Sequence, residues 1–252
     1  MKKVILLVLS MVCTVLVSGC RSAHSEYYTI DHFYIKEEGN QFREAYDQMV
    51  VDTYRWYQSI EGSDGVYIIH YDHYDKELME EWQRSGYMEN IPEGDLDYLV
   101  LSVNYLEEKG FTFSEDDKEQ IMAGVRCYLL PDTFTDEETE AMKRYLTEDA
   151  LMGLDGDTLI DTPFRQDREI RFQSYHAGEP LTTPEGKAIM SPVIYVASSN
   201  NMSYFEAESL VATGIPDSYL VLTESAYQKY VKEGLPQSLR DRKLTFSGVK
   251  NE

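Results

Sequence analysis

The run His70-Tyr-Asp-His-Tyr-Asp75 is the densest set of metal-binding side chains in the sequence. Imidazole and carboxylate together suit Zn²⁺ or a similar ion. On a strand His70 and Asp72 share a face, whereas on a helix His70 and His73 do. The run falls where a strand is expected to give way to a helix, and there Asp72 or Asp75 would serve equally as an N-cap. No HExxH or CxxC accompanies it. A second candidate, Asp155-Gly-Asp157 with Asp161, has the acidic spacing of a calcium loop. It lacks the closing glutamate of a twelve-residue EF-hand, and turn chemistry accounts for its Asp and Gly. Cys127 lies in the apolar run Gly124-Val-Arg-Cys-Tyr-Leu-Leu130, which favours an inert buried thiol over a nucleophile. A Cys127–His176 pair would be a nucleophile and base only if the fold brought them together. There is no GxSxG elbow and no P-loop.

The elements that must position these residues alternate irregularly. Tyr27 to Ile35 reads as a strand. Asn40 to Ile60 repeats Phe42, Ala45, Tyr46, Met49, Val50, Tyr54 and Tyr57 at helical spacing. Val66 to His70 reads as a strand, followed by a helix through Leu78, Met79 and Trp82. Strands are expected at Leu96–Val103, Val125–Leu130, Glu169–Tyr175, Pro192–Ala197 and Tyr219–Leu222. Thr135-Asp-Glu-Glu138 opens a helix, with acidic residues at its positive dipole end. Further helices are expected at Phe205–Ala212 and Glu224–Lys232. Gly110, the acidic stretch Glu115–Glu119, Gly153–Thr162 and Gly178–Gly186 read as connections. The pattern implies an α+β fold with mixed sheets and packed helices, one domain or two, over residues 27–239, with a polar tail at 240–252.

The first nineteen residues read as a bacterial lipoprotein signal. Lys2 and Lys3 precede an apolar run ending in Val17-Ser-Gly-Cys20. Small residues before the cysteine suit a lipoprotein peptidase, and the Cys20 thiol would carry the diacylglyceryl group. The apolar run is shorter than the roughly twenty residues a membrane-spanning helix needs. Lipidation at Cys20, a tether over 20–26 and an outward-facing position on the bacterial cell membrane follow as expectations. The membrane partner would be reached through acyl chains alone.

Losing Lys2 and Lys3 with the signal takes the formal net charge from −22 to −24. That charge argues against nucleic acid and against anionic lipid as partners of the polypeptide. With Cys13 in the signal and Cys20 lipidated, Cys127 is the one thiol left, so the fold must rely on its core rather than a disulfide.

Four segments carry a family resemblance: Val103-Asn-Tyr-Leu106, Tyr128-Leu-Leu-Pro131, Ile170-Arg-Phe-Gln-Ser-Tyr175, and Ser191-Pro-Val-Ile-Tyr-Val196 followed by Ser199-Asn200-Asn201. In order and spacing, from about Tyr27 to Glu233, the chain resembles the extracytoplasmic domain of the bacteriocin-associated integral membrane family, relatives of FtsX-like and macrolide-exporter-type ABC permeases. Such permeases set this domain between transmembrane helices, whereas here a lipobox stands in place of the first. The resemblance implies a detached ectodomain on a lipid anchor, an ABC permease or exported peptide as partner, no cofactor and no catalytic residue. The expectation is therefore a binding or accessory protein rather than an enzyme. The alternative is a metal-dependent surface hydrolase using His70–Asp75, with Asp155, Asp157 and Asp161 as the other low-ranked metal candidates.

Overall fold

The computed structural model describes residues 27–156, 158–212 and 218–249. Their order is β1 (Tyr27–His32), α1 (Asn40–Ile60), β2 (Val66–Tyr74), α2 (Lys76–Ser85), β3 (Leu96–Ser102), α3 (Val103–Glu108), α4 (Glu115–Ala123), β4 (Arg126–Pro131) and α5 (Asp136–Leu151). Then come α6 (Pro163–Asp167), β5 (Ile170–Tyr175), the two-residue strands β6 (Leu181–Thr182) and β7 (Ala188–Ile189), β8 (Val193–Ala197) and α7 (Tyr204–Ser209). Last are β9 (Leu220–Thr223), the turn α8 (Glu224–Ala226) running into a π-helix at Tyr227–Glu233, α9 (Gln237–Asp241) and β10 (Thr245–Gly248).

Eight strands form one mixed sheet in the order β10-β1-β9-β2-β3-β8-β4-β5, and β6 and β7 make a separate hairpin. The pairs β3–β8 and β4–β5 are parallel and the rest antiparallel. The α+β expectation with a mixed sheet holds. No helix among the described residues is long and apolar enough to cross a membrane.

The inner strands are apolar on both faces because helices cover both, and their period of two sorts side chains between two cores. Val66, Ile68, Val100, Tyr128, Val193, Tyr195 and Leu220 face the larger core, against α1, α5, α7 and α9. Tyr67, Ile69, Leu99, Leu101, Cys127, Ile194 and Val221 face the smaller one, against α3 and α4. Burying a Leu or Val on either side stabilises by about 1.5–3 kcal/mol.

Several boundaries differ from the sequence reading. β1 stops at His32, three residues short of Ile35, and β2 continues past His70 to Tyr74 because β3 supplies partners as far as Leu96. The acidic connection Glu115–Glu119 is the first half of α4. Ser114 and Asp117 form a reciprocal capping box there, and Glu115 and Asp116 sit at the favourable dipole end. Gly153–Thr162 carries no helix or strand among its described residues, as expected, and Thr162 ends it by capping α6, with Pro163 in the first turn. The stretch 178–186 includes β6. Residues 240–249, read as part of a polar tail, belong to the fold: Leu244 and Val249 are buried, and β10 pairs with β1 through Tyr28–Gly248, Thr29–Ser247 and Ile30–Phe246. Their apolar side chains are too few to stand out from a polar sequence.

Candidate functional site

The period of β2 divides the His70–Asp75 run between the two faces of the sheet. On the larger-core side, His70 Nε2 lies 2.8 Å from Asp72 Oδ2, and Tyr74 OH donates to the same oxygen at 3.0 Å. The Tyr219 ring stacks on the His70 imidazole at 4.2 Å. Burial alone would raise the Asp72 carboxyl, but the hydrogen bonds from His70 and Tyr74 offset it and hold its pKa below the usual value. Burial and the facing Asp72 carboxylate push the Tyr74 phenol the opposite way.

His73 projects from the other side. Its Nδ1 lies 2.9 Å from Asp97 Oδ1 on β3, and Tyr71 OH donates to that same oxygen at 2.7 Å. Lys187, brought in by the β6–β7 hairpin, donates to Tyr71 OH at 2.9 Å, and its ammonium stands 4.1 Å from the centroid of that ring. The result is a chain of polar contacts linking Lys187, Tyr71, Asp97 and His73 on a rigid strand pair. Burial raises the Tyr71 phenol despite the lysine beside it. Beside this chain a cavity of about 490 Å³ runs under the hairpin, lined by Thr29, Ile69, Tyr71, Thr183, Lys187 and Val221. Apolar walls with a few convergent polar groups suit binding of a small group or a side chain.

Asp75 caps α2, its carboxylate accepting from Leu78 N at 2.8 Å, as the sequence allowed. Thus His70 and Asp72 meet, His73 is separated from them by the sheet, and Asp75 is committed to a helix end. Asp155 pairs with Arg168, and Asp161 pairs with Arg165 at 3.2 Å. Asp157 and Cys20 lie outside the described residues. Among the described residues no three His, Cys, Asp or Glu side chains converge as a metal-binding group.

Cys127 is buried on β4, and burial raises its thiol to about 12. It sits opposite Arg171 on β5, while His176 lies beyond the end of that strand with Nδ1 2.8 Å from Asp132. The thiol and the imidazole are therefore not a pair.

Ser199-Asn200-Asn201 has a structural role that its position after β8 does not announce. The Asn201 amide donates to Val125 O and Val196 O and accepts from Ser198 N and Tyr195 OH, locking the loop to β4 and β8. Ser199 N donates to Glu61 at the end of α1, and burial raises that carboxyl above its usual range. A buried asparagine with all its capacity used is a loop clamp, not a ligand. Asp97 and Lys187 had no signal in the sequence, because each is an isolated polar residue that becomes a neighbour of Tyr71 only through sheet pairing and the hairpin. No known protein family, curated protein or solved structure matches this chain.

Proposed function

We propose that this protein is a lipid-anchored extracytoplasmic binding and accessory protein of an ABC-type export or bacteriocin-related transport system, acting without catalytic turnover. One observation carries the reading. The permease-like segments, dispersed through the chain, meet in one half of the sheet: β8, β4 and β5 are adjacent strands, and Val103–Leu106 begins α3 directly after β3, the neighbour of β8. A shared structural unit is what an inherited ectodomain would keep. The lipobox ending at Cys20 supplies the attachment in place of membrane helices. The metal-hydrolase alternative loses support from the division of His70 and Asp72 from His73, since three ligands on one side are what a catalytic zinc requires.

The test has two arms on the full chain in its native membrane. Metabolic labelling with a fatty-acid analogue should mark the wild type and not Cys20→Ala. A pull-down after mild solubilisation should recover an ABC transporter subunit with the wild type. Equal labelling of the two forms rejects the anchor. Hydrolytic turnover that depends on stoichiometric metal and is lost in Asp72→Ala rejects the binding role.

A further inference from the structure

We propose that the end of the sheet opposite the start of β1 is a docking groove for a cationic amphipathic peptide. The inference rests on the lipid-anchored binding reading and names its ligand class.

Strand direction fixes which end this is. β1 and β2 are each antiparallel to β9, so they run parallel to one another and begin at the same end of the sheet. The chain leaves the tether at Tyr27, which is level with Thr223 and hence with the start of β2. Leu96 pairs with Tyr74 at the other end of β2, and β8 starts beside that same end of β3. The nine residues of β2 separate the two ends by about 26 Å at about 3.3 Å per residue. This second end is therefore the one opposite the point where Tyr27 enters the sheet.

At that end lies an open groove of about 840 Å³ between the start of α5, the loop before β3 and the loop before β8. Its apolar part is the half-buried Ile91 and Phe134, seated over the core residues Leu96 and Met142, with Met190 at the rim 57 % exposed. Its charged lining is lopsided: Glu93, Asp95, Asp97, Glu137 and Glu138 against Arg144. Three of these carboxylates already serve the fold. Asp95 accepts from Lys76 N, Asp97 from Tyr71, and Glu138 closes the Thr135 capping box. Glu93 and Glu137 are exposed and accept no side-chain or backbone hydrogen bond among the described residues. An apolar trough edged by uncommitted negative charge complements a segment with lysine or arginine on one side and large apolar groups on the other. A neutral apolar partner would leave those carboxylates desolvated, and a purely polar cation would leave the trough unfilled.

The full chain in nanodiscs of neutral phosphatidylcholine can be titrated into a fluorescent amphipathic peptide of leucine and lysine, with empty nanodiscs as blank and anisotropy as readout. The wild type should bind, more tightly at low salt. Glu93→Gln combined with Glu137→Gln should weaken binding about tenfold, and Met190→Ser should weaken it severalfold without changing the salt slope. Glu115→Gln combined with Glu119→Gln on α4 removes the same charge from the other face and should leave affinity unchanged. Circular dichroism of each variant checks the fold. Equal loss in the α4 variant, equal affinity for a lysine-only peptide, or no binding at low salt would each overturn the proposal. Absence of peptide binding while the transporter pull-down persists would remove the groove and keep the binding role; loss of both would remove the role as well.

Discussion

Arg126 on β4 and Glu206 on α7 form a two-pronged ion pair inside the larger core. The guanidinium is 3 % exposed, donates from Nη1 to Glu206 Oε2 at 2.9 Å and lies 4.0 Å from the Tyr195 ring centroid. Its Nε donates to Tyr128 OH at 2.7 Å. Burial works against the guanidinium charge, and Glu206 facing it more than restores it.

Removing one partner of such a pair strands the other without water. Glu206→Gln is therefore expected to destabilise the protein by about 3–5 kcal/mol, lowering the thermal midpoint by roughly 10 °C. Adding Arg126→Met should recover most of the loss, since an apolar side chain of similar length needs no counter-charge. Thermal melts of the single and double variants check this; a double variant no better than the single one contradicts it.

Asp149 on α5 lies near the same pair, and burial raises its carboxyl above the usual aspartate value, with Arg126 only partly opposing. In the unfolded chain it titrates near about 3.9. Between that value and the higher folded one, the folded state binds more protons, so stability falls as pH rises. Asp149→Asn should raise the unfolding midpoint at pH 7 by about 2–4 °C, the equivalent of about 1 kcal/mol. The gain should vanish near pH 3, where the carboxyl is protonated in both states. A gain that persists at low pH would assign the effect to packing instead.

With its thiol raised to about 12, Cys127 presents less than about one thiolate in ten thousand at neutral pH. Iodoacetamide should label it very slowly in the native protein and readily in denaturant, as followed by peptide mass spectrometry at that residue. Rapid native labelling would mean that β4 opens often.

Gly124 ends α4 with φ +107°, and a β-carbon there would lie 2.6 Å from Pro163 Cβ and 2.9 Å from Phe164 N. Gly62 also has positive φ, but nothing lies within 4 Å of the corresponding position. Gly124→Ala should therefore cost well over about 2 kcal/mol, and Gly62→Ala about 1 kcal/mol. Similar costs at the two positions, measured by denaturant unfolding, would show that α6 moves aside to accept the methyl group.

The long helix Asn40–Ile60 and the strands around Val66, Leu96 and Val193 are legible in the sequence because each repeats a clear period. β10 is not, because four residues with one large aromatic carry no period, and α4 is masked by the acidic residues that cap it. The fate of His70–Asp75 depended on one fact: how far β2 runs before the helix starts. Alternating Tyr, Asp and His satisfies a strand and a helix start equally, and β3 pairing decides between them. The groove was not legible at all, since Ile91, Phe134 and Met190 come from three loops that only the sheet brings together.

The strand order also governs how this chain comes to be folded. β9 fills the place between β1 and β2, and β10 closes the edge beside β1. The earliest strand thus has no neighbour of its own age. A chain that emerges N-terminus first, from a ribosome or through a translocation channel, holds β1 unpaired until residues near 220 and then 248 have followed. Pairings of such long sequence separation form slowly. The strands from β2 to β8 find their partners before residue 200, so the sheet grows from that side and the edge at β1 is the last to close.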